Sequence, residues 1–259
     1  MTDYLQELFG LQERVAVMIG GTGVLGGELC NGLAQAGAMV VVAGRSAERG
    51  QQRMDAISKL GGTATFAEVD ATSRDSVQAL LAEVLKHYGR VDVLVNCAGV
   101  NSPTPYLEIT DEEFHRIVDT NLLATHLGCQ VFGKHMIEAG EGAIVNIGSV
   151  TSFRPLSRVF VYSASKAAVL SLTQNVAREF APFGVRVNCL CPGFFPAEQN
   201  RKILDKSRVD AILRHTPMGR LGDAPELIGA LLLLVAPVAG SFITGEAVYV
   251  DGGFTAMTI

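Results

Sequence analysis

The sequence predicts a doubly wound α/β fold: a parallel sheet of about seven strands with helices on both faces, built as a single domain over 1–259. Three observations predict it. Short, near-continuous apolar runs rich in valine and isoleucine recur, each bounded by glycine or polar residues, which marks strands covered on both faces. Helical stretches alternate with them, so the strands run parallel and the crossovers place helices on both sides. A glycine-rich turn joins the first strand to the first of these helices, the place where a Rossmann-type sheet receives a dinucleotide.

The predicted strands begin at Val15 (VAVMI), Met39 (MVVVA), Ala64 (ATFAEV), Val91 (VDVLVN), Ala143 (AIVNI), Val185 (VRVNCL) and Ala247 (AVYV). Helices are expected over Val24–Ala36, Ala47–Leu60, Arg74–Tyr88, Asp111–Glu138, Tyr162–Ala181 and Ala224–Val235. The fourth starts behind Thr110 with Asp111, Glu112 and Glu113 in its first turn, a capped and dipole-compatible beginning.

Composition narrows the function. The 259 residues carry 21 basic and 26 acidic side chains, net charge −5, with no basic run, so nucleic acid is not an expected partner. The five cysteines (Cys30, Cys97, Cys129, Cys189 and Cys191) are odd in number and form no CxxC. That suggests neither disulfides nor a metal site and fits a reducing cytoplasm. The N-terminus lacks a basic start and apolar core, so it does not read as a signal peptide. The most apolar stretch, from Leu227, is broken by Pro237, Gly240 and Ser241 before it reaches the length of a membrane span.

In such sheets ligands bind where the strands end. After the first strand, GGTGVLGGEL sets Gly20, Gly23 and Gly26 three apart; Thr22, Val24 and Leu25 lie among them. Glycine lets the backbone approach a phosphate, and the helix behind it offers free N–H groups to a pyrophosphate. After the second strand, the place where NAD sites carry an acid holds Gly44, followed by Arg45 and Ser46. A guanidinium without a neighbouring carboxylate suits a 2′-phosphate, so NADP is expected to be preferred, with NAD possible. After the third strand come Asp70 and Ala71, where Asp70 is a candidate acceptor for the adenine amino group and Ser73 a candidate helix cap. After the fourth comes NCAGV, whose Asn96, Ala98 and Gly99 offer small residues for a flat cofactor to lie against. The fifth ends at Ser149, thirteen residues before Tyr162, and Tyr162 and Lys166 share one helix face.

The ordered set of glycine turn, Asp70, NCAG, Asn121, Ser149, YSASK and CPGFF at Cys191 closely resembles the short-chain dehydrogenase/reductase family, from about Val15 to Gly253. The resemblance implies a catalytic set. Tyr162 would be the general acid or base, and Lys166 would supply a charge beside its phenol and hold the nicotinamide ribose. Ser149 would bond the substrate oxygen. Asn121 would bend its helix and hold a water that relays protons to Lys166. It also places Pro192 and Gly193 at the cofactor, requires no metal, and implies a homotetramer built through the helices from Asp111 and Tyr162 and the C-terminal segment. Two motifs depart from the pattern. Ile19 and Val24 replace a threonine and a glycine of the usual TGxxxGxG turn, and Cys97 replaces the second asparagine of NNAG. A buried, inert Cys97 is expected rather than a reactive thiol.

Substrate choice is expected in the polar segment after CPG, with Gln199, Asn200 and Arg201, and at Arg154 near Ser149; amides and guanidinium groups suit hydroxyls and a carboxylate. The string PGFFPAEQNRKIL resembles a subgroup of D-mannonate oxidoreductases that interconvert D-fructuronate and D-mannonate. Gluconate 5-dehydrogenase-like and 3-oxoacyl-carrier-protein reductase-like activities are the next expectations. A cofactor-sensing or scaffold protein on the same fold is the non-enzyme alternative.

Overall fold

The structure, a computed structural model, describes residues 3–195 and 206–257. Seven strands form one parallel sheet in the order β3-β2-β1-β4-β5-β6-β7: β1 Val15–Ile19, β2 Met39–Gly44, β3 Thr63–Glu68, β4 Val93–Asn96, β5 Gly142–Ile147, β6 Val185–Pro192 and β7 Ala247–Val250. All five residues of β1 are buried, which is why it reads as an unbroken apolar run.

Alternation along each strand sends neighbours to opposite faces. Ala16, Met18, Val40, Val42, Val93 and Val95 pack under α2 (Val24–Gln35), α3 (Ala47–Lys59) and α9 (Ile228–Val235). Val15, Val17, Val41, Leu94 and Ile144 pack under α4 (Arg74–Tyr88), α6 (Ala124–Ala139) and α7 (Phe160–Phe180). The chain is one doubly wound α/β domain. Strand order reverses between β1 and β4, and there the loops that follow them touch: a Cβ on Gly20 would lie 2.7 Å from the Ala98 nitrogen.

Four elements differ from the sequence expectation. The amphipathic segment from Asp111 is not one α-helix: α5 (Asp111–Val118) runs through a π turn, Asp119–Leu123, into α6. Two further helices appear, α1 (Asp3–Phe9) and α8 (Lys206–His215); α1 buries no residue, so no periodicity marks it. The helix read from Ala224 begins as a 3₁₀ turn, Ala224–Leu227, and becomes α-helical at Ile228.

At the opposite end of the sheet Asp92 accepts from the Val15 N–H at 2.8 Å and pairs with Arg14 and Arg90, which also reach Glu141. Burial alone would push the Asp92 carboxyl up. Arg90, the Val15 amide and Arg14 outweigh it and hold the carboxyl below its ordinary 3.8. A depressed folded pKa means the stabilisation is present above the unfolded value and is lost as pH falls through the folded one. The expected result is an acid loss of thermal stability as pH falls below the ordinary carboxylate value that is visibly shallower in Asp92→Asn, read from melting curves across pH.

Candidate active site

The glycine turn has the shape a phosphate cradle needs. Gly20 has φ +91°, a left-handed value that glycine alone adopts without strain. Gly26 is packed against it: a Cβ there would lie 2.3 Å from the Gly20 carbonyl oxygen. Gly23 caps α2 without a side-chain bond, and the N–H groups of Val24 and Leu25 find no acceptor among the described residues. Such a helix start is an anion site in waiting. Thr22 lies over the end of β2, where a Cβ on Gly44 would come within 2.6 Å of the Thr22 hydroxyl. The position that an NAD-type carboxylate would use is therefore closed by Thr22. Arg45 beside it is exposed, and Ser46 caps α3 by accepting the Arg49 N–H at 3.3 Å.

Asp70 sits at the end of β3, where Thr72 donates to its Oδ1 from both hydroxyl (2.7 Å) and amide (3.0 Å). These bonds, with Arg45 nearby, hold its carboxyl below the ordinary value against a small desolvation. Ser73, not Asp70, caps α4. Ala71 packs on the α4 side of the core. Gly193 follows Pro192 at the end of β6, and a Cβ on it would lie 2.7 Å from the Asp251 Cα.

Asn96 can meet a cofactor only through its backbone. Its side chain turns into the core, where Nδ2 donates to Asn146 Oδ1 at 2.8 Å across the β4–β5 register, and Asn146 donates on to Thr173 at 2.9 Å. Only its main chain is left to face a cofactor. Burial pushes the Cys97 thiol up to about 11, so it stays protonated and packs as a small hydrophobe. Gly99 lies beyond Ala98 on the crevice, where a Cβ would stand 3.4 Å from Asn121 Oδ1 and 3.6 Å from Lys166 Nζ.

Of the four residues of the catalytic expectation, Asn121 and Lys166 lie beside that loop, Tyr162 stands against Lys166, and Ser149 is tied to the same helix through Ser152. Asn121 is fully buried in the π turn, so it is no solvent-facing helical asparagine. Its Oδ1 accepts the Val100 N–H at 2.8 Å, and its Nδ2 donates to the Val100 carbonyl at 3.0 Å and to Ser165 at 2.9 Å. Its own carbonyl accepts the Thr125 hydroxyl at 2.8 Å. Lys166 is 4 % exposed, with Nζ donating to the Ile147 carbonyl at 2.7 Å and standing 5.8 Å from the centre of the half-buried Tyr162 ring. No second acceptor for Nζ exists among the described residues. A buried nitrogen with protons to spare beside Gly99 fits a ribose hydroxyl and a water. Ser149 lies two residues past β5 and caps the 3₁₀ turn Val150–Ser152; its Oγ accepts the Thr151 N–H at 3.2 Å, which leaves the hydroxyl proton to be donated.

A profile of the family described as short chain dehydrogenase matches residues 14–208. The chain belongs to this family. This short chain dehydrogenase is 35 % identical to the uncharacterised oxidoreductase UxuB of Bacillus subtilis (strain 168), over 95 % of this chain and 96 % of that one. It is 34 % identical to the gluconate 5-dehydrogenase of Gluconobacter oxydans (strain 621H), over 96 % and 97 %. A crystal structure of a gluconate 5-dehydrogenase from Burkholderia cenocepacia J2315 in complex with NADP and tartrate superposes with a TM-score of 0.94 at 32 % identity, over 98 % and 100 %. The short chain dehydrogenase is accordingly an oxidoreductase.

On the substrate side, Arg154 is exposed four residues past the start of the Ser149 turn, its guanidinium carbon 5.0 Å from the centre of the Phe153 ring. Phe153 in turn meets Tyr249 edge to face at 6.4 Å. Gln199, Asn200 and Arg201 lie outside the described residues. Two residues here escaped the sequence reading. Ser165, inside the quoted YSASK, bridges Asn121 and the Tyr162 carbonyl, to which it donates at 2.7 Å. Ser152 accepts the Ser149 N–H at 3.2 Å and donates to the Lys166 carbonyl at 2.8 Å. Its signal was a Ser-x-x-Ser spacing, the form of a reciprocal cap. No group of three or more His, Cys, Asp or Glu able to hold a metal occurs among the described residues, and no described helix is long and apolar enough to cross a membrane.

Proposed function

We propose that this short chain dehydrogenase interconverts a ketone and a secondary alcohol on a sugar acid, with 5-keto-D-gluconate and D-gluconate as the pair and NADP as the preferred coenzyme. The observation that carries the reading is the buried Lys166 Nζ, 5.8 Å from the Tyr162 ring and close to Gly99 of the switch-point loop, on a helix that Ser152 ties to the Ser149 turn. The coenzyme supplies the hydride to the carbonyl carbon, or takes it from the alcohol. Val24 and Leu25 N–H groups would hold the pyrophosphate, Arg45 the 2′-phosphate, Asp70 the adenine and Lys166 the ribose. In reduction, the Ser149 hydroxyl holds the carbonyl oxygen, and Tyr162 gives its proton to the oxygen as negative charge develops there. Asn121 keeps the Val100 loop fixed against Lys166. Arg154 faces the substrate carboxylate. Similarity to two gluconate 5-dehydrogenases, one bound to NADP and tartrate, supports the substrate class and coenzyme. NAD is accepted more weakly, and the enzyme works as a cytoplasmic homotetramer.

The D-fructuronate/D-mannonate pair is the second reading, favoured by the PGFFPAEQNRKIL segment. The test follows NADPH absorbance on separate addition of 5-keto-D-gluconate, D-fructuronate and a 3-oxoacyl thioester. Fastest turnover of the first supports the proposal; fastest turnover of either other ketone replaces it. In the same assay Arg45→Ala is expected to raise the KM for NADPH by about tenfold and that for NADH by less than about twofold, the loss of one charge-assisted contact. Equal effects on both coenzymes would remove Arg45 from the 2′-phosphate.

A further inference from the structure

The turn that carries Ser149 and the helix that carries Tyr162 and Lys166 are joined in sequence only by the loop 153–159, most of which is exposed. Something other than that loop must hold the two catalytic walls in register. Lys166 Nζ reaches back to the Ile147 carbonyl, but that nitrogen also has the coenzyme to serve. Ser152 makes a second link, and both of its partners are main-chain groups. Its hydroxyl accepts from the Ser149 amide and donates to the Lys166 carbonyl, so one oxygen ties the backbone of one catalytic residue to the backbone of another. The same turn closes a small cap: Ser149 Oγ accepts from Thr151 while Ser152 Oγ accepts from Ser149. Gly148 wedges the arrangement from below, since a Cβ there would lie 3.0 Å from Ser152 Oγ and 2.7 Å from Cys191 Sγ.

We propose that Ser152 is a positioning residue for the carbonyl reduction: it fixes the direction of the Ser149 hydroxyl relative to Tyr162. The inference rests on the roles given above to Ser149 and Tyr162. Only a group that accepts and donates at once can do this; alanine does neither, and threonine does both. Small displacements of a positioned group are costly to turnover and cheap to binding.

The experiment is a double-mutant cycle on the full chain, using whichever of the three ketones the wild type reduces fastest, with NADPH affinity measured by fluorescence. Ser152→Ala is expected to lower kcat by about tenfold with the NADPH Kd within about twofold, and Ser152→Thr to recover most of the loss. In a Ser149→Ala background, where no hydroxyl remains to be aimed, adding Ser152→Ala should change kcat by less than about twofold. Equal losses in the two backgrounds, or a Kd that weakens in step with kcat, would overturn the positioning role and leave the proposed chemistry standing. Full turnover in Ser149→Ala alone, or no reduction of any of the three ketones by the wild type, would instead overturn the proposed function and the positioning role with it.

Discussion

Tyr162→Phe is expected to lower kcat by about a thousandfold while NADPH affinity stays within about twofold. The substitution removes one oxygen and nothing else the fold uses. Tyr162 is half-buried, and its main-chain carbonyl, which accepts the Ser165 hydroxyl at 2.7 Å, is untouched. The ring against Lys166 Nζ is retained, as is the Lys166–Ile147 bond. Folding and coenzyme binding therefore survive, and what disappears is the proton that the developing alkoxide must receive. Ser149 can still hold the substrate oxygen, but its one proton is needed for that bond. Stopped-flow or steady-state oxidation of NADPH, with fluorescence titration of coenzyme on the same sample, separates the two quantities. Turnover that survives at a tenth or more of the wild type would mean that another group supplies the proton.

The sheet was legible because its strands are covered on both faces and so announce themselves as apolar runs, as β1 and β2 do. The catalytic spacing was legible because Ser149 follows the end of β5 by two residues and α7 carries Tyr162 and Lys166 one turn apart, a relation that sequence distance preserves. Tertiary choices were not. DTNLL reads as plain helix, and the extra residue of its π turn exists because the Asn121 amide bonds across to Val100, twenty-one residues away. The direction of the Asn96 side chain follows from alternation: it lies two past Leu94, whose side chain packs with the α6 and α7 face, so its own side chain points there too. Thr22 over Gly44 is a contact between two loops that no local pattern contains.

The second large effect belongs to Asn121. Asn121→Ala is expected to destabilise the protein by about 2–5 kcal/mol and to cut turnover as well, because the amide serves both fold and site. The side chain is fully buried, and its three bonds run to the N–H and carbonyl of the half-buried Val100 and to the buried Ser165 hydroxyl. Removing it leaves those groups short of partners, each at about 1–3 kcal/mol. It also removes the reason for the π turn, so the segment can relax toward regular α-helix and shift against the Gly99–Val100 loop that borders Lys166. Asn121→Asp separates the two parts of this argument. An aspartate keeps an acceptor for the Val100 N–H but turns a second acceptor toward the Val100 carbonyl, and burial raises the folded pKa of its carboxyl above the unfolded value of about 3.9. A raised folded pKa costs stability as pH climbs through it, so this variant should melt lower at about pH 8 than at about pH 5 relative to the wild type. If Asn121→Ala melted with the wild type and kept its turnover, the clamp on Val100 would not be what holds the loop against Lys166.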